Sequence, residues 1–336
     1  MSLSVGVVGA TGMVGEEFLS LIEQRRFPLK ELKPFASDDS KGKKVICNGQ
    51  EWTCTTLEPG CFKGLDLVFF SSGDDISKEW APKAVEDGAF AIDNSAAFRM
   101  DPNTALVVPE INGDLLPKPG LPKVIANPNC STIQLVLALA PLKESFGISQ
   151  VHVASYQAVS GAGKAGKEEL LNQTRCVVSG EPAPAPSAFP HTIAYNCIPQ
   201  IGGFNDQGFC SEEMKIMKET NKILRDADIK VSAFTVRVPT LNGHAEAAWV
   251  TLKKQASREE VVKSLQSLTA IEVWDNPTDS HYPTAAKCSG TDPVYVGRLH
   301  QDLHDPLTWI MWIVADNLRV GAALNGIRIA EKIYKL

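Results

Sequence analysis

The chain has 336 residues, 44% of them hydrophobic and 21% charged, with a formal net charge of −6. That balance suits a soluble globular protein with material for two domains, offers nucleic acid no basic patch, and contains no apolar run approaching a membrane span. Eight cysteines without a C-x-x-C pair fit a reducing cytoplasm better than a disulfide framework, and the N-terminus runs straight into a strand, so no secretion signal is expected.

A β-type run at 4–8 leads into Gly9-Ala10-Thr11-Gly12-Met13-Val14-Gly15 and then a helical pattern to Glu23. This G-x-x-G-x-x-G turn is a relative of the dinucleotide-binding fingerprint. Its glycines allow a tight turn and let the backbone approach a pyrophosphate at the helix N-terminus. Ordinary strand-to-helix turns also carry glycines, so the motif gains weight from its strand–turn–helix placement. Strand-like runs follow at 32–36, 65–70, 89–93, 105–108 and 124–126, with a helical stretch between Asp75 and Asp87. The alternation predicts a Rossmann-like, doubly wound parallel sheet. Cys47, Cys54 and Cys61 recur every seven residues without a histidine to complete a metal set, and read as structural.

Asn127-Pro128-Asn129-Cys130-Ser131-Thr132 comes next. Pro128 forbids a helix before the cysteine, and the apolar run from Ile133 predicts one after it. Cys130 therefore stands at a helix N-terminus, where the dipole favours a thiolate. On the cysteine alone, a nucleophile and a small buried core residue are both open.

Beyond Cys130, longer strands at 151–157, 230–238 and 245–252 and helices at 164–178, 211–224 and 257–270 predict an α+β domain with a mostly antiparallel sheet. Four prolines within 181–190 mark a loop or extended excursion. His300 and His304, at i and i+4, read as a surface loop beside Pro306 and not as metal ligands. An amphipathic helix at 319–335 closes the chain and is expected to pack back on the first domain. The expected division is a dinucleotide-binding domain over 1–128, completed by 317–336, and a catalytic and dimerisation domain over 129–316.

Three further clusters are candidates for chemistry, although the first can equally be a plain turn and the histidine of the second a satisfied buried imidazole. Ser155-Tyr156-Gln157-Ala158-Val159-Ser160-Gly161-Ala162-Gly163 ends a strand in a glycine-rich loop. Arg237-Val238-Pro239 leads through a turn to Gly243-His244. Glu212 and Lys215 share one side of a helix, where a solvated ion pair is the ordinary explanation. With Asp93-Asn94-Ser95-Ala96-Ala97-Phe98-Arg99, Val108-Pro109-Glu110-Ile111-Asn112 and the Ala315–Ala323 stretch A-D-N-L-R-V-G-A-A, these motifs stand in an order that closely resembles bacterial aspartate-β-semialdehyde dehydrogenases over essentially the whole length.

The resemblance implies reversible, phosphate-dependent oxidation of aspartate semialdehyde to aspartyl phosphate, in the biosynthesis of lysine and diaminopimelate, methionine and threonine. It implies Cys130 as the nucleophile that forms a thioester, Gln157 orienting substrate, and His244 as the base that removes the thiohemiacetal proton. Arg237 would take the substrate carboxylate and Glu212 its ammonium group. Arg99 and Lys215 would hold phosphate, with Asn129 nearby. Gly9, Thr11, Gly12, Met13, Val14, Ser37, Ser40, Ser160, Gly161, Ala162, Gly163 and Asn317 would line the cofactor, expected to be NADP. A cytoplasmic homodimer is expected, with a tetramer open, and no metal, nucleic acid or membrane partner.

The nearest alternative is an N-acetyl-glutamyl-phosphate reductase type, which carries N-P-G-C-Y-P where this chain has N-P-N-C-S-T. A cysteine hydrolase pairing Cys130 with His244 leaves the glycine turn without purpose, and a non-catalytic binding module should have lost one of that pair. The chain departs from many NADP-using members after the second strand. There it reads Ala36-Ser37-Asp38-Asp39-Ser40-Lys41-Gly42-Lys43, with Asp39 where they have arginine. A carboxylate there accepts from the 2′-hydroxyl of NAD and repels a 2′-phosphate, so weakened NADP preference is expected if Asp39 faces the ribose. If it faces solvent, Ser37, Ser40 and the nearby lysines can still hold the phosphate.

Overall fold

The computed structural model describes residues 2–336. Its contacts divide the described residues into two compact units, one of 2–129 with 322–336 and one of 130–321.

In the first unit, β1 (Leu3–Val8), α1 (Met13–Gln24), β2 (Leu29–Phe35), β3 (Lys44–Cys47), β4 (Gln50–Thr53), β5 (Leu67–Phe70), α2 (Asp74–Glu86), β6 (Phe90–Asp93), β7 (Ala105–Leu106), α3 (Pro109–Asn112) and β8 (Val124–Ala126) follow in order. Six strands form one sheet in the order β2-β1-β5-β6-β8-β7, every pair parallel, while β3 and β4 make a small separate hairpin. All four residues of β5 are buried, as a strand covered on both faces requires. On one face Phe69 stacks on Phe18 of α1 at 4.3 Å; on the other Phe70 and Val68 join Phe62 and Trp80.

The turn after β1 is as tight as its glycines suggest. Gly9 has φ +83°, and a Cβ on Gly15 would lie 2.1 Å from the Gly9 carbonyl oxygen. Only glycine lets α1 start so close to β1.

The second unit contains α4 (Cys130–Phe146), β9 (Ile148–Gln157), α5 (Gly163–Ser179), α6 (Ser211–Leu224), β10 (Lys230–Arg237), β11 (His244–Leu252), α7 (Arg258–Leu265), β12 (Ile271–Val273), α8 (Ala285–Cys288), β13 (Val294–Gln301) and β14 (Thr308–Ala315). Its sheet runs β10-β9-β11-β14-β13-β12, parallel at the two outer pairs and antiparallel at the three inner ones. Helix α4 lies across β9, β11, β13 and β14 and is apolar almost all round, as a helix enclosed by a sheet and by α6 and α7 must be.

Three sequence readings change. His300 belongs to strand β13 and not to a loop, and the helix expected over 257–270 stops at Leu265. The closing helix is also not continuous: a π-helical segment, Arg319–Ala323, precedes α9 (Leu324–Tyr334). In the first unit α9 packs against α1, α3 and β6, with Gly326 against Phe18 and Ile92.

Candidate active site

Strand alternation and register assemble the site in the second unit. On β9 and β10 the paired positions Gln157 and Arg237 lie side by side. On β11, Ala245 pairs with Tyr156, which sets His244 on the other side of Gln157. All three side chains are buried on the inner face, at the end of their strands. His244 in turn pairs with Ala315 of β14, two residues before Asn317.

Cys130 is the first residue of α4, where unpaired N–H groups and the helix dipole favour a thiolate. The Arg237 guanidinium is electrostatically coupled to it and adds a second positive influence. Gly321 backs Cys130: a Cβ there would stand 2.9 Å from the Cys130 Cβ.

The Ala158 peptide pins two of the candidate groups at once. Its N–H donates to His244 Nδ1 at 3.1 Å, and its carbonyl accepts from Arg237 Nη1 at 2.7 Å. With Nδ1 accepting, a neutral His244 carries its proton on Nε2, which has no hydrogen-bond partner among the described residues. Burial first, and the Arg237 charge second, hold the imidazole pKa well below its usual value, so the ring is neutral. A Cβ on Gly161 would lie 2.8 Å from Arg237 Nη1 and 3.2 Å from His244 Nε2. That glycine is exposed and covers the two buried groups.

Gln157 Nε2 donates to Ser155 Oγ and to Glu212 Oε1, both at 3.2 Å. Glu212 is buried, and Lys215 Nζ reaches its other oxygen at 3.5 Å. The pair is thus half inside the protein and not the solvated surface pair that its spacing alone suggests. Arg237 also lies 5.9 Å from the Phe189 ring, which the proline-rich excursion supplies. Glu169 anchors that excursion by accepting from the Ser187 and Ala188 N–H groups.

Ser160 is engaged internally: Asn317 Nδ2 donates to its Oγ at 2.9 Å, and the hydroxyl donates to Asn242 Oδ1 at 2.9 Å. Asn317 Oδ1 also accepts from the Gly243 N–H, so this amide braces the Ser160 loop against the turn that precedes His244.

The remaining candidates lie in the first unit. Arg99 is buried, its Nε donating to the Asn127 carbonyl at 2.9 Å and its Nη2 to the Asn94 carbonyl at 2.7 Å. The Asn127 amide donates to Asn94 Oδ1 and to the Ala322 carbonyl and accepts from Asn325, which fixes the backbone just before Asn129, itself buried. Gly9, Ala36, Ser37 and Asp38 help line a cavity of about 360 Å³ with Trp80. Asp39 is exposed and not part of that lining, and Ser40 is buried, accepting from Lys43 Nζ at 3.1 Å. Helix α1, capped by Gly12 without a side-chain bond, leaves its first N–H groups to whatever occupies the glycine turn.

Sequence reasoning missed Ala158, Gly321 and Phe189. The first acts through its peptide and the second through a missing side chain, so neither residue type signals its part.

Residues 4–118 match the family model "Semialdehyde dehydrogenase, NAD binding domain", and residues 139–320 match "Semialdehyde dehydrogenase, dimerisation domain". The chain is 45% identical to an aspartate-semialdehyde dehydrogenase of Aquifex aeolicus, covering 100% of this chain and 99% of the relative. It is 42% identical to that of Bacillus subtilis, covering 99% and 98%. Among solved structures, aspartate semialdehyde dehydrogenase II from Vibrio cholerae complexed with ASA superposes with a TM-score of 0.96 at 40% identity, over 100% of this chain and 99% of the other. An aspartate semialdehyde dehydrogenase from Candida albicans with NADP gives a TM-score of 0.75 at 25% identity, over 99% of each. With both family models matched and relatives at such identity over the full length, the chain belongs to the aspartate-semialdehyde dehydrogenase family.

Proposed function

We propose that the chain interconverts aspartate 4-semialdehyde plus phosphate with aspartyl 4-phosphate through a thioester on Cys130. The observation that carries this reading is the convergence of a helix-terminal cysteine, a buried neutral histidine and a buried arginine within one unit. A nicotinamide dinucleotide fits the first unit. The Gly9–Gly15 turn leaves no room for a Cβ at Gly15, the α1 N-terminus lacks a side-chain cap, and the cavity beside Ser37 and Asp38 has the place of an adenosine site. When bound, the nicotinamide accepts or delivers the hydride.

The protein's own residues do the rest. Cys130, as thiolate, adds to the aldehyde carbon, and the carbonyl electron pair moves to oxygen. His244 Nε2–H donates to that oxyanion, from which hydride leaves more readily than from a neutral hemiacetal. This differs from the full proton removal expected from sequence, because the hydrogen bond into Nδ1 leaves the proton on Nε2. Phosphate then attacks the thioester carbon, and the Cys130 thiolate departs. Arg237 binds the substrate carboxylate and Glu212 its ammonium group, while Gln157 holds Glu212 in place. Arg99, Lys215 and Asn129 are the residues assigned to the phosphate.

The outer face of the second unit's sheet exposes Tyr156, Phe234 and Trp249, and a largely apolar cavity of about 630 Å³ lies there beside Ile310 and Trp312. Together with the matched dimerisation model, this supports a homodimer through that face. We place the enzyme in the cytoplasm, whose reducing conditions suit its eight free cysteines; among the described residues no helix is long and apolar enough to cross a membrane.

Reduction of NADP and of NAD by the semialdehyde, measured side by side with and without phosphate, tests the reading. Turnover should require phosphate, and Cys130→Ala should abolish it. Because Asp38 and not Asp39 lines the cavity, Asp38→Ala should shift the ratio of catalytic efficiencies towards NADP more than Asp39→Arg does. Phosphate-independent turnover would refute the reaction; an unmoved ratio would show that this loop does not set cofactor choice.

A further inference from the structure

Below the nucleophile and the histidine lies a polar layer that the mechanism above does not use. Glu246 is two residues after His244 on β11 and projects to the same inner face. Gln134 stands one helical turn after Cys130 on α4, which packs against β11. Both side chains are completely buried. They face each other closely enough for the amide to act on the carboxyl, yet none of their four polar atoms meets a partner with hydrogen-bond geometry among the described residues.

Among the described residues no cation offsets the burial of Glu246. From α6 it faces Glu212, whose charge already engages Lys215. Across the strands it pairs with Ser155 on β9 and Ile313 on β14, and on its own strand the neighbour on this face is the neutral His244. A lone carboxylate in such a place is far costlier than the protonated acid.

We propose that Glu246 is held as a neutral carboxylic acid paired with the Gln134 carboxamide, and that this pair ties the helix carrying Cys130 to the strand carrying His244. The chemistry is complementary only in that form. The acid O–H donates to the amide oxygen and the amide N–H donates to the acid carbonyl, whereas a carboxylate would set one oxygen against the amide oxygen. Burial, with the Glu212 charge adding to it, drives the Glu246 pKa well above the usual carboxylate value, and Gln134 opposes the shift. Glu246 and Gln134 are thus positioning residues, and their role rests on Cys130 and His244 acting as proposed.

The test compares Glu246→Gln, Gln134→Glu and the double swap. The folded protein holds a proton that the unfolded chain releases, so wild-type stability falls as pH rises above the unfolded carboxyl value. Glu246→Gln lacks that loss. Its melting temperature relative to wild type should therefore rise between about pH 5 and about pH 8. The variant should keep kcat and the rate of Cys130 alkylation by iodoacetamide within about twofold, since the amide preserves the neutral pair and its spacing. Gln134→Glu alone should lower kcat by roughly a hundredfold with cofactor KM unchanged, and the swap should recover most of it. A pH-independent difference in melting temperature, a large loss of kcat in Glu246→Gln, or no recovery in the swap would each overturn the proposal. Turnover by Cys130→Ala would refute the nucleophile instead and leave the stability comparison unaffected.

Discussion

His244 shows how a single buried side chain links chemistry to stability. Its pKa is lowered by burial and by Arg237, so the folded state resists protonation that the unfolded chain accepts. The stability it contributes is complete above the unfolded value of about 6.5 and is lost as pH falls through the lower folded value. Between those limits the unfolding free energy of the wild type should fall more steeply with acid than that of His244→Asn, by up to about 1.4 kcal/mol per pH unit. Parallel slopes from denaturant titrations would show that His244 does not titrate on unfolding. At this scale Cys130 was legible, because Pro128 and the apolar run fix where a helix can begin. His244 was legible as a histidine that follows a strand and a turn, but its tautomer was not, since the Ala158 N–H comes from a different strand end.

At the scale of elements, the site depends on places where a side chain is missing. Gly321, in the π-helical segment after β14, comes within 2.9 Å of the Cys130 Cβ if given a Cβ of its own. Gly321→Ala must displace either that segment or the start of α4. Overpacking of this kind costs about 1–3 kcal/mol of stability. We expect a lower kcat and slower iodoacetamide alkylation of Cys130, with cofactor affinity nearly unchanged; wild-type alkylation would show that the segment gives way freely. Strands β9, β10 and β11 were readable, because alternation and β-branched residues mark them. Strand β13 was not, for a local reason. Its pairing with β14 shifts register between Gly297 and His300, and Arg298 has φ +52°, so alternation breaks where the strand bends. Strand β14, Thr-Trp-Ile-Met-Trp-Ile-Val-Ala, is apolar at every position but the first and has no period to read.

For the whole molecule, the glycine turn and the alternation of strands and helices foretold the parallel sheet, while the sharing of a site among several strand ends emerged only from register. The exposed aromatic face of the second sheet makes association part of the account. Trp249→Asp places a charge among Tyr156, Phe234 and Trp312 on that face and should convert a dimer to monomer in sedimentation at micromolar concentration. An unchanged mass would place the interface elsewhere. The central claim is the covalent one, and it is tested most directly by mass spectrometry of enzyme mixed with aspartyl phosphate without reduced nicotinamide, acid-quenched and digested. The account predicts an aspartyl adduct on the peptide containing Cys130, absent in Cys130→Ala and discharged when reduced cofactor is added before the quench. An unmodified Cys130 peptide in enzyme that turns over, or an adduct on another residue, would contradict it.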